Sequence, residues 1–190
     1  MSMTVSKLRT SAVVGAVLLV GLMSLNASRA AFSGSTENAP NEWAAGSVVL
    51  VDDDAGVPLF DDLTNLVPGD TETDCIEVSY TGTVDAQVRI HGITTAGTGL
   101  DGYLDLTIER GTGTCAAFVP SVTVWDGTNG DLGVFLSTAT DYSTGADTWS
   151  VTGGLPNEMV PFRVTATVQD DNGAQGLDTT VTFTWEGQNT

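Results

Sequence analysis

The chain has 190 residues, 41% of them hydrophobic, with 22 glycines and 24 acidic side chains against 6 basic ones. That length and apolar content suit one packed domain of ordinary size. A net charge of −18 repels phosphate backbones and anionic lipid surfaces, which argues against nucleic acid or a membrane surface as partner.

Residues 1–30 read as a cleaved signal peptide. Lys7 and Arg9 form a basic start, and "SAVVGAVLLVGLMSL" (Ser11–Leu25) is an apolar run of 15 residues, short of the roughly 20 that a membrane span needs. "SRA" (Ser28–Ala30) places small residues where a signal peptidase requires them, so cleavage is expected between Ala30 and Ala31. No second run of this kind follows, and the mature protein is expected to be secreted, to an extracellular matrix or cell surface, with no membrane contact after cleavage. It keeps Arg89, Arg110 and Arg163 against all 24 acidic residues, a net charge of −21. Residues 31–45, "AFSGSTENAPNEWAA", are small and polar without a period; Phe32, Ala39 and Trp43 are their main apolar points. They read as an extended N-terminal arm ahead of a domain at 46–190.

From Gly46 onward the dominant signal is period-two alternation. "GSVVLV" opens it, and "TDCIEVSY" buries Ile76, Val78 and Tyr80. "VDAQVRIHG" sets Val84, Ala86, Val88 and Ile90 on one face; "YLDLTIER" does so with Leu104, Leu106 and Ile108. "VTVW" and "GVFLS" are shorter candidate strands. "PFRVTATVQD" alternates Phe162, Val164, Ala166 and Val168 with polar residues, and "TTVTFTWEG" closes with Val181, Phe183 and Trp185 against threonines. Turn chemistry in "VPGD", "YTGT", "DGTNGD", "TGGLPN" and "DDNGAQG" separates the runs. Eight or nine strands with one buried face each predict an all-β, two-sheet antiparallel sandwich of jelly-roll or immunoglobulin-like type.

Two cysteines, Cys75 and Cys115, in an exported chain imply one disulfide. Alternation points Cys75 away from Ile76 and Val78, so the bridge is expected on the surface or sheet edge, tying two neighbouring strands.

The chemical inventory points away from catalysis. There is one histidine, His91, expected as an exposed strand residue, and there is no HExxH, phosphate loop or nucleophile triad. No cofactor is expected. Asp52, Asp53 and Asp54, the pair Asp61 and Asp62, the turn from Asp126 to Asp131, and Asp170 with Asp171 offer hard oxygen ligands. Asp52, Asp53, Asp54, Asp126 and Asp131 are the weak calcium candidates; none matches calcium-loop spacing, so no metal is assigned. Trp43, Trp125, Trp149 and Trp185 suit a core or interface better than a sugar-stacking platform.

Three blocks together resemble the TasA/camelysin family of exported matrix-fibre proteins processed by a SipW-type signal peptidase. They are the leader junction Ala30-Ala31-Phe32 with the strand entry Trp43-Ala44-Ala45-Gly46-Ser47-Val48, the run "LTNLVPGDTETDCIEVSYTGTVDAQV", and the terminal "VTFTWEGQ". The middle, from Gly97 to Pro156, has no counterpart in that pattern, and the family usually lacks this cysteine pair. The resemblance implies a structural subunit of biofilm-matrix fibres, assembling head to tail with copies of itself, with the signal peptidase as a partner during export and a minor fibre subunit as a further candidate partner. Each subunit's N-terminal arm would complete its neighbour's sheet, with Phe32 and Trp43 as anchors. The family's metallopeptidase label finds no support in a chain with one histidine. The alternative reading is a monomeric secreted or cell-surface sandwich that binds carbohydrate or calcium.

Overall fold

The alternating segments become strands because burying every second side chain lets two sheets share one core. The computed structural model describes residues 45–190 apart from Ala55 and Asp62. The cleavage site at Ala30 and Ala31 and the anchors Phe32 and Trp43 lie outside the described residues. Within them run β1 (Leu50–Asp52), β2 (Thr71–Tyr80), β3 (Ala86–Gly97), β4 (Leu104–Thr112), β5 (Val119–Trp125), β6 (Ala146–Val151), β7 (Glu158–Val168) and β8 (Thr179–Asn189). One sheet has the order β1-β2-β7-β4-β5 and the other β6-β3-β8, with every pairing antiparallel. The fold is an all-β two-sheet sandwich.

The strand order is that of a jelly roll, in which a long hairpin folds over itself and pairs strands from the outside in. β2 lies against β7, β3 against β6 and β4 against β5. Among the described residues the outermost pair, first strand with last, is not formed: β1 is three residues long and pairs with β2 through Leu50–Tyr80 and Asp52–Val78.

The inner faces meet as the alternation requires. Ile76, Val78, Tyr80, Leu106, Ile108, Phe162 and Val164 are buried on one sheet, and Ala86, Val88, Ile90, Trp149 and Val151 on the other. Phe162 joins the layers, with its ring 6.2 Å from Trp149 and 5.5 Å from Trp185.

"GVFLS" is not a strand. It belongs to helix α1 (Leu132–Thr138), and the spacing of buried Leu132, Phe135 and Leu136 is helical, a period that five residues are too few to display. Asp131 starts the helix by accepting a hydrogen bond from the Val134 N–H at 2.8 Å. Phe135 stands edge-on to Trp125 at 5.1 Å.

The disulfide is present, with a Cα–Cα distance of 5.6 Å, but it does not join neighbouring strands. Cys115 sits in a 3-10 turn (Cys115–Ala117) between β4 and β5, and β7 lies between β2 and β4. The bridge therefore spans the outer face of β7, where Arg163 opposes Cys75, pairs with Glu109 at 2.6 Å and stacks on Phe118 at 4.4 Å. Closing a 40-residue separation removes unfolded-state entropy equivalent to about 4 kcal/mol. Reduction should lower the melting temperature while the far-UV dichroism of the sheets survives. An unchanged melting temperature after verified reduction would show that the bridge is not constraining the chain.

Candidate functional site: a groove along the open side of the sandwich

The two sides of the sandwich are built differently. On the β5–β6 side, Arg110 of β4 binds Asp147 of β6 at 2.6 Å, linking the two sheets through a carboxylate that is only 4% exposed. On the other side, β8 pairs with β3 alone among the described residues, and its outer backbone edge has no strand beside it. β2 is likewise covered by β1 only from Val78 to Tyr80, leaving Thr71–Ile76 without a partner on that side.

Between these two edges runs a groove of about 1530 Å³. Its floor is core: Ile76 and Val78 from β2, and Val164, Ala166 and Val168 from β7. One lip is β8, whose Val181, Phe183 and Trp185 line the groove. Their alternation predicts a core face, yet all three are only half-buried, and no strand among the described residues occupies the sheet position beside β8. The Trp185 indole N–H is buried without an acceptor among the described residues. Such a donor normally costs about 1–3 kcal/mol unless something supplies a carbonyl.

The opposite lip is the long connection between β1 and β2. Leu59, Phe60 and Leu66 pack against the core, whereas Val57, Leu63 and Val67 line the groove and remain 63%, 42% and 55% exposed. Sequence reasoning missed this segment as a functional element. Its signal was available: a stretch of this length inside a small domain, carrying six large apolar residues, is unusual for a mere connector.

The sequence-marked residues take other roles. Among the described residues, no three His, Cys, Asp or Glu side chains converge as a metal site. Asp53 accepts from the Glu77 N–H at 2.8 Å, Asp126 accepts from the Thr128 N–H at 2.9 Å, and Asp131 caps α1. The hydrogen bonds from Thr128 hold the Asp126 carboxyl below the ordinary range. Trp125 and Trp149 are core residues, 8% and 4% exposed, so they offer no sugar platform. His91 is half-buried rather than exposed: β3 packs beside β8, and its Nε2 lies 3.2 Å from Glu186.

Asp54, which lines the groove, has its carboxyl pushed up by burial and by the charges of Asp53, Asp52 and Asp74. The folded state thus holds that proton more tightly than the unfolded chain, so ionised Asp54 costs stability above its folded pKa, and the cost disappears as pH falls through it. Asp54→Asn should therefore stabilise the fold at neutral pH by under about 1 kcal/mol, as suits a charge still near water. The gain over wild type should vanish in acid. A variant less stable than wild type at neutral pH in thermal melts would contradict this.

No protein-family model matches the chain, and no curated protein matches it.

Proposed function

We propose that the protein is a secreted structural subunit that polymerises head to tail, with the N-terminal arm of one copy lying along β8 of the next. The observation that carries this reading is the missing outermost strand pair of the jelly roll, which leaves an apolar groove flanked by an unpaired edge. An added strand there gains backbone hydrogen bonds from the edge, and every second side chain enters the groove. It also brings carbonyls to the neighbourhood of the Trp185 N–H.

The occupant follows from length and position. Residues 31–44 precede the described domain, and at roughly 3.3 Å per residue they reach roughly 46 Å, enough to follow the length of β8. Parity separates the two anchors. Phe32 and Trp43 are eleven positions apart, so in one unbroken strand they face opposite sides. Phe32, at the far end, is the residue placed to enter a neighbour's groove; Trp43 lies two positions before Ala45 of its own domain. Because donor and acceptor are different surfaces, the contact repeats without closing, and the product is a filament.

Burying one such aromatic contributes roughly 1.5–3 kcal/mol, and each backbone bond about 1 kcal/mol, offset by ordering costs of about 1–2 kcal/mol per residue. The anchors therefore decide the balance. In the mature protein, Phe32→Ala with Trp43→Ala should leave a folded monomer whose critical concentration for assembly rises at least about tenfold. Electron microscopy and sedimentation measure this. Normal filaments from the double variant at the wild-type concentration would refute the donor-arm reading.

A further inference from the structure

The connection between β1 and β2 is more than a wall of the groove. Its backbone is fastened at the two ends only. Near β1, the Val57 N–H donates to the Asp54 carbonyl at 3.0 Å; near β2, the Gly69 N–H donates to the Val168 carbonyl at 2.8 Å and the Asp70 N–H to the Val67 carbonyl at 3.0 Å. Between them, no backbone hydrogen bond among the described residues ties 58–61 or 63–66 to either sheet. Left-handed backbone occurs at Gly56 (φ 84°) and Gly69 (φ 87°), beside these fastenings, and at Asn65 (φ 59°) within the untied stretch. Leu59, Phe60 and Leu66 pack the segment against the core. Its other apolar residues, Val57, Leu63 and Val67, line the groove and are exposed.

We infer that the connection, described at residues 56–61 and 63–69, forms a strap that closes over a strand once it lies in the groove, burying Val57, Leu63 and Val67 against it. The inference rests on the strand-addition reading above and names how that site retains its occupant. Three observations favour closure over displacement. The groove already holds about 1530 Å³ of space beside β8, so a strand can enter without evicting the strap. The exposed apolar side chains lie on the groove side. Fastening at two ends permits a swing without breaking either sheet. Closure also places the inserted strand between β8 and the strap, so that its outer edge is covered and offers no template for further pairing.

The test uses the mature full chain with Val57→Ser, Leu63→Ser and Val67→Ser combined. These side chains are exposed in the monomer, so the melting temperature of the unassembled variant should match wild type. Its critical concentration should rise at least about tenfold, and proteolytic sites within the strap should be cut readily in wild-type monomers and protected in wild-type filaments. Variant filaments forming at the wild-type concentration would overturn the strap while leaving strand addition intact. Faster assembly of the variant, or a strap more easily cut in filaments than in monomers, would overturn it in favour of a placeholder that must leave. If wild type and variant alike form no filaments, strand addition fails and the strap fails with it.

Discussion

The outer edge of β8, which has no partner strand among the described residues, is the constraint on which the rest of the structure turns. A jelly roll is a nested set of strand pairs, and three of the four pairs are complete here. The fourth is not formed among the described residues, where β1 pairs with β2 instead of β8 and its strand ends at Asp52. Everything at the site follows: β8 keeps one free edge, Val181, Phe183 and Trp185 are half-covered, and the core between β2 and β7 opens into a groove. An exposed edge of this length above an apolar floor is a liability that soluble domains ordinarily blunt with charges, prolines or bulges. β8 carries none on its outward row of threonines until Glu186, which is engaged by His91.

The remainder of the domain is braced so that this opening stays local. The Arg110–Asp147 pair crosses between the sheets on the far side, with Asp147 adopting a left-handed backbone (φ 65°) that delivers its carboxylate inward. Phe162 between Trp149 and Trp185 couples the two layers through the middle. The disulfide fixes β2, one of the groove's two flanking strands, to the β4–β5 turn across β7. β2 is thus prevented from following the groove open even though half of its outer edge has no neighbour.

The sandwich was legible because period-two alternation is a local property of each strand. Ile76, Val78 and Tyr80, or Leu104, Leu106 and Ile108, declare their buried face without reference to any other segment. What was not legible is what depends on which strands meet. The order of the sheets, and with it the place of β8 at a sheet end among the described strands, is set by long-range pairing, and so Val181, Phe183 and Trp185 read as ordinary core. Cys75 did read correctly as facing outward; its partner's position across β7 required the same non-local information. Helix α1 was hidden because a run of five residues shows too few turns of a helical period, although Asp131 carried the cap signal three residues ahead of Val134.

Charge sets what kind of contact can join two such subunits. Residues 31–190 carry −21 overall, and each of their arginines is already engaged by its own domain: Arg89 by Gln87 and Tyr142, Arg110 by Asp147, Arg163 by Glu109 and Phe118. No free cation among these is left to attract a neighbour, and the groove itself is lined by Asp52, Asp54, Asp61, Asp70 and Glu72. The arm brings Glu37 and Glu42 and no basic residue. Long-range electrostatics therefore oppose association, and screening at physiological ionic strength, over about 8 Å, weakens that opposition. Attraction must come from terms that act only on contact, which are apolar burial and backbone pairing along an edge. Those terms are non-specific in sequence but strict in register, so under the proposed strand addition an acidic subunit would resist random aggregation at a distance and join only where a strand fits.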